Sequence, residues 1–179
     1  MSYINLKSPQ ETTGSHKKMF DQIEKGFGKV PNMFLAIGNS PAALESMWAS
    51  FGALSKGKLG AKLGEKIAVL VADINRCEYC LAAHTVLGQG AGNTAAEMTA
   101  AQAGESSDPR TQAALNFAAR LVKARGQVSK SDIADVKAAG FSEEEIAEIL
   151  AHVALNTFTN YTNVAFDVPV DFPAVPLRK

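Results

Sequence analysis

Along this chain apolar residues recur at three- and four-residue steps, the period of helices that pack one face on a core. Leu44, Met47, Trp48, Phe51 and Leu54 form such a stripe. Ser40-Pro41 gives it a start, a capping hydroxyl followed by a ring preset to helical φ, so a helix is predicted from Pro41 to about Ser55. After the break Lys56-Gly57-Lys58-Leu59-Gly60, the positions Leu63, Ile67, Leu70, Val71 and Ile74 predict a second helix from about Ala61 to Ile74. Asn75 ends it or caps the next, which is predicted from Arg76 to Gly88 with Cys77 and Cys80 in its first turns. Asn93-Thr94 caps another that ends at Gly104, and Asp108-Pro109 opens a longer one to about Arg125. A short helix is expected near Ser131 to Ala139, stopped by Gly140. Ser142 with Glu145 three positions on is a capping box, and Glu143 and Glu144 suit the positive end of the helix that follows, to about Ala165.

The remainder is less periodic. Residues 1–25 read as an arm, extended apart from a short helix around Lys17 to Lys25, and residues 26–179 as one helical domain. Pro169 and Pro173 lack the amide a helix needs, which makes the end an extended tail. No run of alternating apolar and polar residues is bounded by hairpin turns, so the expected fold class is all-α. Leu63-Gly64-Glu65 leading to Asn75 faintly echoes Phe141-Ser142-Glu143 leading to Asn156, a weak sign of a duplicated two-helix unit.

Composition narrows the function classes. With 46% hydrophobic and 20% charged residues the chain has core enough to fold throughout. Lysine plus arginine equals aspartate plus glutamate at 18 each, without a basic block, which argues against a nucleic-acid partner. The apolar run Ile67 to Ala72 stops at Asp73, short of the roughly 20 residues a membrane span needs. The start, MSYINLKSPQ, lacks the apolar stretch of a secretory signal, so a cytoplasmic, reducing location is expected. There, two cysteines point to redox or metal chemistry and not to a structural staple.

Those cysteines stand in Asn75-Arg76-Cys77-Glu78-Tyr79-Cys80-Leu81-Ala82-Ala83-His84. At about 3.6 residues per turn, Cys77, Cys80 and His84 share a helix face. Cysteines three apart on a helix lie within disulfide reach, and a helix start favours the thiolate over the thiol. His84 offers a base, directly or through a water. A redox pair is the leading reading; an inert buried pair and a zinc site of Cys77, Cys80, His84 and water are the alternatives. A thioredoxin-like fold is disfavoured, because its motif follows a strand.

Glu65, Cys77-x-x-Cys80 and His84, with their spacing, resemble the AhpD-like alkylhydroperoxidase core of the carboxymuconolactone decarboxylase superfamily. The resemblance extends through Gly28-Lys29-Val30-Pro31-Asn32-Met33-Phe34, Ser40-Pro41, Asn156-Thr157-Phe158-Thr159-Asn160-Tyr161-x-Asn163 and Asp171-Phe172-Pro173, which look like its peroxidase-related branch. It covers most of the chain from about Gly26. It implies an all-helical, homo-oligomeric hydroperoxide reductase that needs no bound cofactor and is reset by an external dithiol. On that resemblance Cys80 attacks the peroxide, Cys77 resolves, and Glu65 and His84 relay the proton. Where the AhpD pattern has histidine before its second cysteine, this chain has Tyr79. Tyr79 and Asn160 are further candidates for relay or pocket positions. The lactone decarboxylases of the superfamily work without the cysteine pair, so the thiols favour redox chemistry over decarboxylation; a decarboxylase-like enzyme and a redox-responsive scaffold without turnover are the alternatives.

Other residues carry weaker signals. Without the resemblance, Glu65 reads as an exposed first-turn acid. Asn156, Asn160 and Asn163 make a polar stripe beside Thr159, for which a subunit contact or a solvated face is the preferred reading over hydrogen bonding near the thiols. His152 and His16 read as ordinary structural residues, and Trp48, Met47 and Phe51 as core or as the lining of an apolar pocket.

Overall fold

Capping chemistry sets most helix starts. In the computed structural model, which describes residues 2–179, Ser40, Thr94, Asp108, Ser129 and Ser142 each accept a hydrogen bond from the backbone amide three residues on. Among the described residues the chain forms nine α-helices. They are α1 (Gly14–Phe27), α2 (Asn32–Ile37), α3 (Pro41–Leu54), α4 (Gly60–Ile74), α5 (Glu78–Gly90), α6 (Ala95–Gln102), α7 (Pro109–Lys123), α8 (Lys130–Ala138) and α9 (Glu143–Ala165). No strand interrupts them within the described residues, and no helix there is long and apolar enough to cross a membrane.

Helix α4 is the axle, packed against α5, α6, α7 and α9. Its stripe Leu63, Ile67, Leu70 and Val71 is buried, but so are Ala68, Val69 and Ala72 on the other faces. Beyond its exposed first turn the helix is surrounded by four others, which is why its sequence from Ile67 to Ala72 is apolar all round. Even Lys66 is buried, its ammonium 3.0 Å from Glu97 at the start of α6. By contrast α9 leaves Leu150, Phe158, Tyr161 and Val164 exposed along its outer side.

Three expectations need correction. The helix in the first 25 residues is longer than predicted and crosses the boundary drawn at Gly26. Phe20 and Ile23 on α1 are fully buried, while the backbone before α1 is tied by Lys7 N to Leu35 O (2.9 Å) and Tyr3 N to Phe166 O (2.8 Å). Its stripe is only Met19, Phe20, Ile23 and Phe27, so the start of the helix before Met19 carries no apolar period to read. Helix α2, six residues after Pro31, was not predicted, being too short for a period to show. Helix α5 begins at Glu78 and not at Arg76, because α4 closes in a Schellman turn. Cys77 N reaches back to Ala72 O (2.9 Å), Arg76 N to Asp73 O (3.2 Å), and Arg76 takes a left-handed φ of 58°.

The tail is extended, as its prolines require, but strapped to the body. Val168 is buried, Phe172 packs edge-on against Tyr79, and the Tyr79 hydroxyl donates to Asp171 Oδ1 at 2.6 Å. Near the end, buried Asp73 accepts from Arg178 N (3.0 Å), Arg178 Nε (3.1 Å) and Gln102 Nε2 (2.8 Å). Burial alone would raise the Asp73 pKa, but these donors outweigh it and hold it below the usual carboxylate range. A depressed folded-state pKa contributes stability that is complete above the unfolded value and is lost as pH falls through the folded one. Asp73→Asn should therefore lower stability at pH 7 by about 1–3 kcal/mol. Thermal melts of parent and variant should begin to draw together as the pH falls below the ordinary aspartate value of roughly 3.9, and meet only below the depressed folded-state value.

Candidate active site

The turn between α4 and α5 builds the centre of the site. The left-handed Arg76, a conformation that costs a non-glycine residue about 1–2 kcal/mol, swings the chain so that Cys77 becomes the N-cap of α5. Its Sγ accepts a hydrogen bond from Cys80 N at 3.3 Å, the role usually taken by serine or aspartate. Cys80 follows in the first turn, where free amides and the helix dipole favour a negative charge. Both thiols are free, and both are buried.

Helix α9 supplies the second set of partners. Asn163 Nδ2 donates to Cys80 Sγ at 3.1 Å, and the Cys80 thiol lies 3.9 Å from Thr159 Oγ1, which can accept from it. Asn160, with no exposed surface, accepts from Asn75 Nδ2 at 3.0 Å, and Asn156 bonds back to His152 O at 2.8 Å. The preferred reading of this stripe as a subunit contact or solvated face is overturned, since Asn156, Thr159, Asn160 and Asn163 are all buried and the stripe turns toward the sulfurs. The signal was available in the sequence: polar residues at three- and four-residue steps on a helix need buried partners if that face turns inward.

Helices α4 and α5 contribute the third part. Glu65 Oε2 lies 2.8 Å from His84 Nδ1, so the acid is an inward partner and not a solvated first-turn residue. Burial pulls the imidazole pKa down, but the charge and hydrogen bond of Glu65, with the charge of Cys80, outweigh it and raise it. Among the described residues no hydrogen bond joins His84 to either thiol. It acts on Cys80 by charge.

These contacts divide the two sulfurs. Burial raises the Cys80 pKa, but the hydrogen bond from Cys77, the charge of His84, and the amides of Asn163 and Asn160 outweigh it and bring it down to about 6. Cys77 goes the other way: its proton is held in the hydrogen bond to Cys80, and burial adds to the rise. The arrangement is a thiolate at Cys80 with protonated Cys77 as its donor.

Tyr79 stands apart from the sulfurs. Its hydroxyl accepts from Met33 N at 3.2 Å and donates to Asp171, and burial followed by Asp171 pushes its pKa far up. This places it in a wall, joining α2 and the tail, with its hydroxyl bonded to Met33 N and Asp171 and to neither sulfur. The wall belongs to an apolar cavity enclosing about 360 Å³, onto which Cys80 and His84 open, bounded by Phe27, Phe34, Phe51 and Phe172. Phe51 thus takes the lining role considered for the Trp48 neighbourhood, while Trp48 stacks edge-on against Phe34 and Met47 is core. His152 borders a second cavity beside Glu65 and His84, and His16 packs on Phe20. The zinc alternative finds no support in the geometry: among the described residues no group of three or more His, Cys, Asp or Glu side chains converges as metal ligands would.

Residues 41–124 match the model of the carboxymuconolactone decarboxylase family. An alkyl hydroperoxide reductase of Mycobacterium tuberculosis is 27% identical over 112 residues, 61% of this chain and 33% of that protein. The chain therefore spans about a third of the length of that relative. Among solved structures, an AhpD-core, peroxidase-related protein of Ralstonia eutropha JMP134 superposes with a TM-score of 0.87 at 22% identity, covering 95% of this chain and 92% of that one. A peroxidase-related protein of Silicibacter sp. TM1040 gives 0.82 at 24% identity, over 94% and 91% of the two chains. The debrominase Bmp8, in complex with 2,3,4-tribromopyrrole, gives 0.78 at 23% identity, over 96% and 94%. At such identities these likenesses speak to the fold, while the family match falls on the segment that carries Glu65, both cysteines and His84. Residues 41–124 thus resemble the carboxymuconolactone decarboxylase family, and the chain has an all-α, AhpD-like fold.

Proposed function

We propose that the protein is a thiol-dependent hydroperoxide reductase cycling through a Cys77–Cys80 disulfide. The observation that carries this reading is the asymmetry of the pair: a charge-stabilised Cys80 sulfur facing an apolar cavity, backed by a Cys77 that keeps its proton. The Cys80 thiolate attacks the terminal oxygen of a hydroperoxide whose organic part sits among the phenylalanines. The O–O bond breaks, Cys80 becomes a sulfenic acid, and the departing alkoxide takes a proton from His84, which Glu65 keeps charged. Cys77 then condenses with the sulfenic acid, releasing water and forming the disulfide. An external dithiol restores both thiols.

The aromatic walls favour a second substrate class, a halogenated heteroaromatic such as the ligand of the debrominase that shares the fold. Reductive loss of bromide would oxidise the same pair. Assaying bromide release from a bromopyrrole beside peroxide consumption separates the two.

The reduced protein should consume one equivalent of cumene hydroperoxide per chain without added reductant, and turn over when dithiothreitol is present. Cys80→Ser should fall to the uncatalysed background; equal rates for variant and parent would sink the reading. Cys77→Ser should still consume one equivalent but stop at a sulfenic acid that dimedone traps. A redox-responsive scaffold would instead shift its assembly on oxidation, seen by size-exclusion chromatography, without consuming peroxide catalytically.

The pH profile is a separate test. A Cys80 pKa lowered to about 6 means that the oxidation rate rises with pH to a plateau reached near neutrality, whereas an ordinary thiol would still be rising there. Glu65→Gln removes the charge that keeps His84 protonated, so the midpoint should move up and the rate at pH 7 should drop. Stopped-flow rates between pH 5 and 9, with thiolate absorbance at 240 nm, would read both.

A further inference from the structure

The two sulfurs open onto different cavities. Cys80 lines the apolar cavity, shared with His84, Phe27, Phe34 and Phe172; Cys77 is not part of that lining. Cys77 instead lines a solvent-open cavity of about 680 Å³ on the other side of Tyr79, shaped by Arg76, Glu78, Asn163, Val164, Asp167 and Val170. Cys80 is absent from that lining. Tyr79 is the one residue common to both, and its hydroxyl is pinned on the apolar side to Met33 and Asp171. The contrast in character is plain: phenylalanines on one side, and on the other two acids, an arginine and an asparagine around a backbone turn.

Thiol–disulfide exchange runs in line, with the attacking sulfur, the attacked sulfur and the leaving sulfur close to a row. An attacker in the polar cavity meets Cys77 and expels Cys80; one in the apolar cavity meets Cys80 and expels Cys77. The leaving group decides which is faster, and the better leaving sulfur is the one whose anion is already stabilised. Asn163 at 3.1 Å, the hydrogen bond from Cys77 and the charge of His84, which Glu65 holds at 2.8 Å, all stabilise the anion at Cys80.

We propose that the polar cavity is the reductant's entrance: a dithiol enters between Arg76, Val164 and Val170 and attacks Cys77, while the hydroperoxide reaches Cys80 through the separate apolar cavity. One thiolate of the dithiol bonds to Cys77 Sγ, the Cys77–Cys80 bond breaks, and its electron pair leaves on Cys80 as thiolate. The second thiolate of the reductant attacks the reductant's own sulfur in the mixed disulfide. Cys77 departs and takes up a proton, and the dithiol leaves as its disulfide, two electrons having passed to the protein. The attack side rests on the proposed peroxidase reading only for the origin of the disulfide, which diamide can form as well.

The experiment treats each half separately. Protein oxidised by diamide is mixed with glutathione, acid-quenched, alkylated and mapped by mass spectrometry. Glutathione should sit on Cys77 and the alkyl group on Cys80; the reverse placement overturns the proposal. Val170→Trp, at an exposed tail position, should slow reduction of the disulfide by dithiothreitol at least about tenfold while changing single-turnover oxidation by cumene hydroperoxide less than about twofold. Leu87→Trp, beside the apolar cavity, should do the opposite. If each variant slows both halves alike, or neither, the two-entrance proposal is wrong, and the adduct mapping on the parent protein decides the matter even where a variant folds poorly. Absence of any reaction with peroxide would overturn the peroxidase reading alone, because the reduction half still reports the side of attack.

Discussion

A sulfur anion removed from water must be met by donors and positive charge, and that requirement organises the site. Cys80 is 2% exposed, so burial works against its thiolate, and the protein offsets this from several directions at once. Cys77 at the start of α5 gives it a hydrogen bond, α9 brings the Asn163 side chain, and α4 acts through Glu65 on His84. These contributions require α4, α5 and α9 to meet at one point. The central position of α4, packed on both of the others, is what lets them do so.

The same geometry keeps the paired sulfurs unequal. Because Cys77 stands outside the first turn as N-cap, its sulfur accepts from Cys80 N while its own proton points to Cys80. Had α5 begun at Arg76, both thiols would lie inside the helix and share one environment. The Schellman turn at Arg76, with its strained left-handed backbone, thus has a chemical consequence at the next residue.

Around this centre the least periodic part of the chain completes the walls. Asp171 and Phe172 hold and cover Tyr79, which also ties down α2 through Met33 N. The buried carboxylate of Asp73 holds the last turn of the strap through Arg178, only a few residues before Cys77 in sequence. Closure of the apolar cavity is therefore linked to the same α4–α5 junction that places the sulfurs.

The sequence alone determined the all-α class, the starts of α3, α6, α7 and α9, and the grouping of Cys77, Cys80 and His84. These depend on capping and on the helical period, which are properties of a few neighbouring residues. The pairing of Glu65 with His84 was legible only through the family spacing, since the two lie nineteen positions apart on different helices. What only the tertiary structure decided was direction: that the asparagine stripe of α9 turns inward, that the tail folds back on Tyr79, that α1 joins the core, and that Cys77 caps a helix it was expected to lie within. The physical reason is that a stripe of small polar residues fits a solvated face as well as a buried one. Which it becomes depends on what another helix, more than 80 positions away, presents to it.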